Sequence, residues 1–143
     1  MIDISKIISE RLAVKLIIVD DSEVVCERLQ QMIINIAGVE SVALAHNAPD
    51  AITTITEAKP DVVILDICLP GPNGIEVLKD IRDKKLPIRV LMMTNYPYPQ
   101  YREKCKGLGA DYFFDKSAEI EKIPGVIMEL AREKAEKTVK RTS

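Results

Sequence analysis

The stretch LIIVDDSEVV (residues 16–25) decides how the rest of the chain is read. With Lys15 it begins as KLIIV (15–19), an apolar run of strand type. It then meets two adjacent aspartates, Asp20 and Asp21, and apolar residues resume beyond them at helical spacing. A continuous apolar strand is one covered on both faces. Two neighbouring carboxylates at the end of such a strand repel each other, and burying either costs several kcal/mol unless it is paired or metal-bound. The pair therefore predicts positive charge at this strand end.

Working outward, the same alternation of short apolar runs and helical segments recurs. SEVVCERLQQMIINIAG (22–38) predicts a helix with Val25, Leu29, Met32, Ile33 and Ile36 on its apolar stripe and Gly38 as its stop. SVALAH (41–46) reads as a strand and APDAITTITEA (48–58) as a helix with Pro49 in its first turn. DVVILD (61–66) is the third strand. GIEVLKDIRDKK (74–85) is the third helix, with Ile75, Leu78 and Ile81 inward and Glu76, Lys79 and Asp83 outward. IRVLMMT (88–94), PQYREKCKGLG (99–109) and DYFFD (111–115) follow as strand, helix and strand. A last helix starts between Ser117 and Pro124. Five strands alternating with five helices predict an α/β fold, a doubly wound five-stranded parallel sheet with helices on both faces. The flavodoxin-like strand order 2-1-3-4-5 is the expected one.

Composition narrows the class. The chain has 143 residues, which suits one domain with a real core. Apolar residues make up 47% and charged residues 29%, an ordinary soluble balance. A net charge of -2 gives no overall pull towards nucleic acid. No apolar run approaches the ~20 residues that span a bilayer, and the first fifteen residues lack a signal peptide's layout. The expected location is cytoplasmic, without membrane attachment. Cys26, Cys68 and Cys105 have no metal-type spacing and read as reduced, mostly buried thiols. The one histidine, His46, reads as a structural or surface residue.

On a doubly wound sheet, ligands bind at the C-terminal strand ends near the switch point between strands 1 and 3. Strand 1 ends in Asp20 and Asp21, strand 3 in Asp66 and strand 4 in Thr94, and strand 5 is followed by Lys116. In the expected order these ends converge. Three carboxylates can share a site if they hold a hard divalent cation, and oxygen ligands suit Mg²⁺. The alternative for each acid taken singly is a helix cap or a solvated loop residue.

VDD, ILDICLPGPNG, MMT and FFDKS, in this order, resemble the response regulator receiver domain of two-component signalling. The resemblance covers about residues 15–136, leaving 1–14 as an N-terminal extension and 137–143 as a basic C-terminal tail. It implies that Asp66 is the phosphoacceptor and that Asp20, Asp21, Asp66 and the backbone carbonyl of Cys68 hold Mg²⁺. It further implies that Lys116 pairs with the phosphoryl oxygens, that Thr94 is the switch hydroxyl and that Phe113 is the switch aromatic. Pro70 and Gly74 shape the loop after the nucleophile, or are generic turn residues. The implied function is a receiver that accepts a phosphoryl group from a histidine kinase or a histidine phosphotransfer protein and then switches a partner-binding surface. No output domain follows, so the expectation is a stand-alone receiver or phosphorelay intermediate without direct DNA binding, its downstream partner docking on the strand 5 face. The alternative is a degenerate receiver that binds partners without phosphorylation.

The chain departs from the common family pattern in places. Ser117 follows Lys116 where a cis proline is frequent, so a trans peptide is expected. Asn95, Tyr96 and Cys68 stand at positions that tune water access, which leaves the phospho-form's lifetime open. A flavodoxin would need a Ser/Thr/Gly-rich loop after strand 1, and a haloacid-dehalogenase-type phosphatase would need an aspartate where Cys68 stands. All six aromatic residues fall between Tyr96 and Phe114. YPYPQY (96–101) is too polar and proline-broken to be all core, and an exposed partner surface is the competing reading. REKAEKTVKRTS (132–143) reads as a solvated helix end whose cations suit the helix dipole. IDISKIISERL (2–12) is weakly periodic, either a frayed tail or a short accessory contact.

Overall fold

The structure, a computed structural model, describes residues 3–6 and 12–142, the side chain of residue 142 excepted. Five parallel strands pair in the order β2-β1-β3-β4-β5: β1 Val14–Val19, β2 Val39–Ala45, β3 Val62–Asp66, β4 Arg89–Thr94 and β5 Tyr112–Asp115. The intervening helices are α1 Glu23–Ile33, α2 Ala48–Ala58, α3 Gly74–Asp83 and α4 Pro99–Gly107. A 3₁₀ turn, Ile120–Lys122, leads into α5, Ile123–Thr142. This is the flavodoxin-like doubly wound sheet that the alternation predicts.

Period-2 alternation along the strands divides the core into two layers. Leu16, Ile18, Ile64, Leu91 and Met93 face α1 and α5, where they meet Leu29, Ile33, Ile123 and Ile127. Ile17, Val19, Val63, Leu65 and Met92 face α2, α3 and α4, where they meet Ala51, Ile55, Leu78, Ile81 and Cys105. Neither layer is complete without the sheet, so the strand ends hold fixed positions relative to the helices.

Polar caps set where helices begin. The side chains of Ser22, Asn47 and Asn73 accept hydrogen bonds from the N–H groups of Val25, Asp50 and Glu76 at the starts of α1, α2 and α3. The first helix ends at Ile33, five residues before the expected stop. Ile36 N–H bonds back to Ile33, and Gly38 turns the chain at φ +92° into β2. Of the weakly periodic segment 2–12, residues 4–6 are helical; residues 2 and 7–11 lie outside the described ones. At the other end α5 runs without a break through the basic stretch to Thr142. No helix among the described residues is long and apolar enough to cross a membrane.

One glycine is demanded by packing. A Cβ on Gly74 would lie 2.0 Å from the backbone oxygen of Asp66, and Gly74 N–H donates to the carbonyl of Ile67 at 2.8 Å. The first residue of α3 thus presses on the backbone that carries Asp66, and the turn-only reading of Gly74 is too weak. Gly74→Ala should lower stability by about 1–3 kcal/mol through overpacking. Urea unfolding checks this, and an unchanged midpoint would contradict so close an approach.

Candidate functional site

Parallel pairing brings the C-terminal ends of β1, β3 and β4 side by side, and the loop after β5 folds over them. Asp20 and Thr94 are fully buried there, Asp66 is nearly so, and Asp21 is exposed at the mouth. Carboxylate oxygens of Asp20, Asp21 and Asp66 all lie within 4.8 Å of one another. Lys116 reaches in from the β5–α5 loop, its Nζ donating to Asp20 Oδ2 at 2.7 Å and to Asp66 Oδ2 at 3.4 Å. The structure thus brings together Asp20, Asp21, Asp66 and Lys116 as the sequence predicts, with Thr94 at the neighbouring strand end.

Each group is held by backbone. Asp20 Oδ1 accepts from Ser22 N–H at 2.8 Å, and Asp66 Oδ1 accepts from Cys68 N–H at 3.2 Å. Lys116 N–H donates to the carbonyl of Thr94 at 2.9 Å, tying the β5–α5 loop to β4. Thr94 Oγ1 accepts from Tyr96 N–H at 3.0 Å, a bond that ties the side chain to the loop that follows. The Ser117 hydroxyl donates to Asn95 Oδ1 at 3.3 Å across the top of the site. The peptide after Lys116 is trans, as expected with serine in place of proline; cis bonds are absent among the described residues.

Sequence reasoning missed the support behind Asp20. His46 Nδ1 and Cys26 Sγ both donate to the Asp20 carbonyl, at 3.0 and 3.4 Å. His46 ends up here because β2 pairs with β1 and finishes level with it; nothing in its local sequence carries that signal. Burial and the nearby Asp20 charge push the Cys26 thiol up to about 11, so it stays protonated at neutral pH and able to donate. Cys26 and Cys105 are buried as expected, whereas Cys68 is exposed beside Asp66.

Electrostatics are unbalanced in a useful direction. Burial, with the Asp20 charge added, pushes the Asp66 carboxyl up to about 6 against the opposing pull of Lys116. Burial alone would lower the Lys116 ammonium, yet its hydrogen bond to Asp20 and the charges of Asp66 and Asp20 hold it above the ordinary lysine value. Three carboxylates face one ammonium, which leaves excess negative charge in a recess of low dielectric. That donor set, all oxygen and partly buried, fits a hard divalent cation.

The model of the response regulator receiver domain family matches residues 16–128, and the chain belongs to that family. Among its relatives is the sporulation initiation phosphotransferase F of Bacillus subtilis, 35% identical over 109 residues that cover 76% of this chain and 86% of the relative. A protein-glutamate methylesterase/protein-glutamine glutaminase of Clostridium acetobutylicum is 32% identical over 105 residues, 72% of this chain but only 30% of that protein's length. The crystal structure of a DNA-binding response regulator of the LuxR family from Staphylococcus aureus superimposes with a TM-score of 0.75 at 36% identity, covering 82% of this chain and 98% of that one.

A pH prediction follows from Asp66. Its folded-state value lies above that of a free carboxyl, so between about pH 4 and 6 the folded chain holds a proton that the unfolded chain has lost, and stability falls as pH rises through that window. Without added metal, Asp66→Asn should be more stable than the parent above pH 6, by on the order of 1–3 kcal/mol. The advantage should vanish below about pH 4, where both forms are neutral. Thermal unfolding across that range checks the sign; an Asn variant less stable than the parent at pH 7 would contradict it.

Proposed function

We propose that this receiver domain accepts a phosphoryl group on Asp66 from a phosphohistidine, on a histidine kinase or a histidine phosphotransfer protein, and that Thr94 and Phe113 convert the modification into a changed partner surface. The observation that carries the reading is Lys116 bridging two buried carboxylates, Asp20 and Asp66, at the end of the central strands. A carboxylate oxygen of Asp66 is the attacking atom: a P–O bond forms as the donor's P–N bond breaks, and the departing imidazole nitrogen keeps that bond's electron pair. Such transfers need positioning and charge neutralisation more than covalent help. Lys116 supplies one fixed positive charge to the transferred oxygens. Asp20, Asp21, Asp66 and the Cys68 carbonyl would hold Mg²⁺, which when bound supplies the remaining charge neutralisation. Residues 15–136 form the receiver unit in this reading.

Acetyl phosphate with Mg²⁺ should modify the chain once. Asp66→Ala should abolish uptake of acid-labile phosphate, and Asp21→Ala should weaken Mg²⁺ binding by at least about tenfold, a loss of ~1.4 kcal/mol. Uptake by Asp66→Ala at the parent stoichiometry would sink the assignment.

Tyr96 and Asn95 stand on the loop over the site and shield the phosphoryl group from water in this reading, while Cys68 is a poor water-positioner. The phospho-form is then long-lived, and Tyr96→Ala should hydrolyse faster in a time course. An unchanged or slower rate would remove Tyr96 from this role.

The switch rests on which partner the Thr94 side chain bonds. Turning its hydroxyl towards a phosphoryl oxygen gives a charge-assisted bond in place of the bond from Tyr96 N–H. The β4–α4 loop is then released, and α4 follows easily, since Cys105 is its one fully buried residue and its N-cap Tyr98 makes no side-chain cap bond. Phe113 is half-buried under the Arg102 guanidinium, 4.6 Å from its ring centroid, and can turn into the space that Thr94 vacates. Tyr96, Tyr98 and Tyr101 form a contiguous aromatic surface beside it, with centroids 6.2 and 5.8 Å apart. On adding a phosphoryl mimic, amide and side-chain shifts should move at Tyr98, Tyr101 and Phe113. Changes confined to the loops around Asp20 and Asp66 would defeat this route.

A further inference from the structure

At the far end of the sheet from the acidic cluster, a groove of about 620 Å³ opens between the N-terminal ends of the strands and the last turns of α5. That volume lies within the range of small-molecule sites. Its floor is apolar, formed by Val14, Val62, Pro87 and Leu130. Its rim carries two more cations than anions, and the cations differ in how they are occupied. Arg89 is engaged with Asp111 and Glu133, each at 3.1 Å, and Lys134 with Asp61 at 3.0 Å. Lys134 also donates to the carbonyl of Ala13, so it pins β1 to α5. Lys137 and Arg141 also line the groove, and neither meets a carboxylate within ion-pair distance among the described residues.

Lys137 and Arg141 stand four residues apart, so their side chains leave α5 one turn, about 6 Å, apart on the same face. Two neighbouring like charges destabilise a helix slightly. A helix end alone does not account for their both lining a concave apolar surface. That surface suits a ligand apolar at one end and anionic at the other. The apolar end would lie against the exposed Pro87 and the aliphatic stems of the rim cations, over the buried Val14, Val62 and Leu130. The acid would be met by an ammonium and by a guanidinium fork that binds carboxylate or phosphate through two parallel bonds.

We propose that this groove is a second ligand site, for a small amphiphilic anion: a carboxylate or phosphate on an acyl or aryl body. Val62 and Asp66 are opposite ends of β3, about 13 Å of strand apart. The site is thus separate from the acidic cluster and independent of the reading of Asp66.

Decanoate and decyl phosphate, titrated into the full chain and followed by amide chemical shifts, test it, with decanol and inorganic phosphate as the single-feature arms. Saturable shifts at Val14, Val62, Leu130, Lys137 and Arg141, with Asp20 and Asp66 silent, support the proposal, and whichever anion binds more tightly names the acid. Both single-feature probes should bind at least about tenfold more weakly, and so should both anions to the Lys137→Glu/Arg141→Glu variant. Arg141 is exposed and Lys137 is a solvent-facing helical residue, so this variant should keep the parent's circular dichroism. Lys137→Gln/Arg141→Gln is the second variant should the charge reversal fail to fold. Absence of saturable shifts, equal binding of decanol, or undiminished binding by the folded variant would overturn the proposal. So would self-association of the parent that the variant disperses, since the groove would then be an interface between copies of the chain.

Discussion

Everything at the working end of this chain depends on one buried ammonium. Lys116 Nζ lies between Asp20 and Asp66 and makes tolerable a pair of carboxylates that burial would otherwise expel or protonate. It does so incompletely, because the Asp66 carboxyl is still pushed up to about 6 and Asp21 adds a third carboxylate at the mouth. A fully neutralised cluster would be inert. An under-neutralised one retains affinity for further positive charge and for a group that can be stabilised by it. The rest of the fold supplies the geometry: β1 and β3 deliver the two acids in register, and the β4 carbonyl holds the loop that carries the lysine.

The two ends of the sheet are built differently. At the C-terminal ends the strands finish in short loops, and the side chains of Asp20, Asp66 and Lys116 are buried and mutually engaged, with Asp21 exposed beside them. At the N-terminal ends a long α5 overhangs the sheet, pinned by Lys134 to Ala13 and Asp61, and further charges remain at its rim. Between the ends, both faces of β3 are fully covered, so the strand that carries Asp66 has no room to move alone. The weakly anchored parts are α4, with Cys105 its one fully buried residue, and the loop before it. Those parts hold the aromatic residues Tyr96, Tyr98 and Tyr101.

Much of this was legible in the sequence because the signals are local. KLIIV, DVVILD and IRVLMMT read as strands on their own, and Pro49 marks the first turn of α2 without reference to the rest of the chain. The acidic cluster was legible one step further, since strand order alone predicts which strand ends meet. What could not be read depends on contacts between distant segments. His46 supports Asp20 only because β2 ends beside β1. Gly74 is required by the backbone of Asp66, eight positions earlier, and not by its own turn. The early end of α1 has the same origin: the apolar stripe continues to Ile36, but the chain must turn at Gly38 to enter β2. The groove under α5 is assembled from four segments, and no single one of them announces it.

In the proposed function one particular carboxylate, Asp66, carries the phosphoryl group. Borohydride reduces an acyl phosphate to an alcohol and leaves free carboxylates untouched, so it converts a phosphorylated aspartate to homoserine in place. The chain treated with acetyl phosphate and Mg²⁺, reduced and sequenced by fragmentation mass spectrometry, should contain homoserine at position 66 and aspartate at positions 20 and 21. Homoserine at either of those positions, or none anywhere in a chain that had taken up phosphate, would contradict the account.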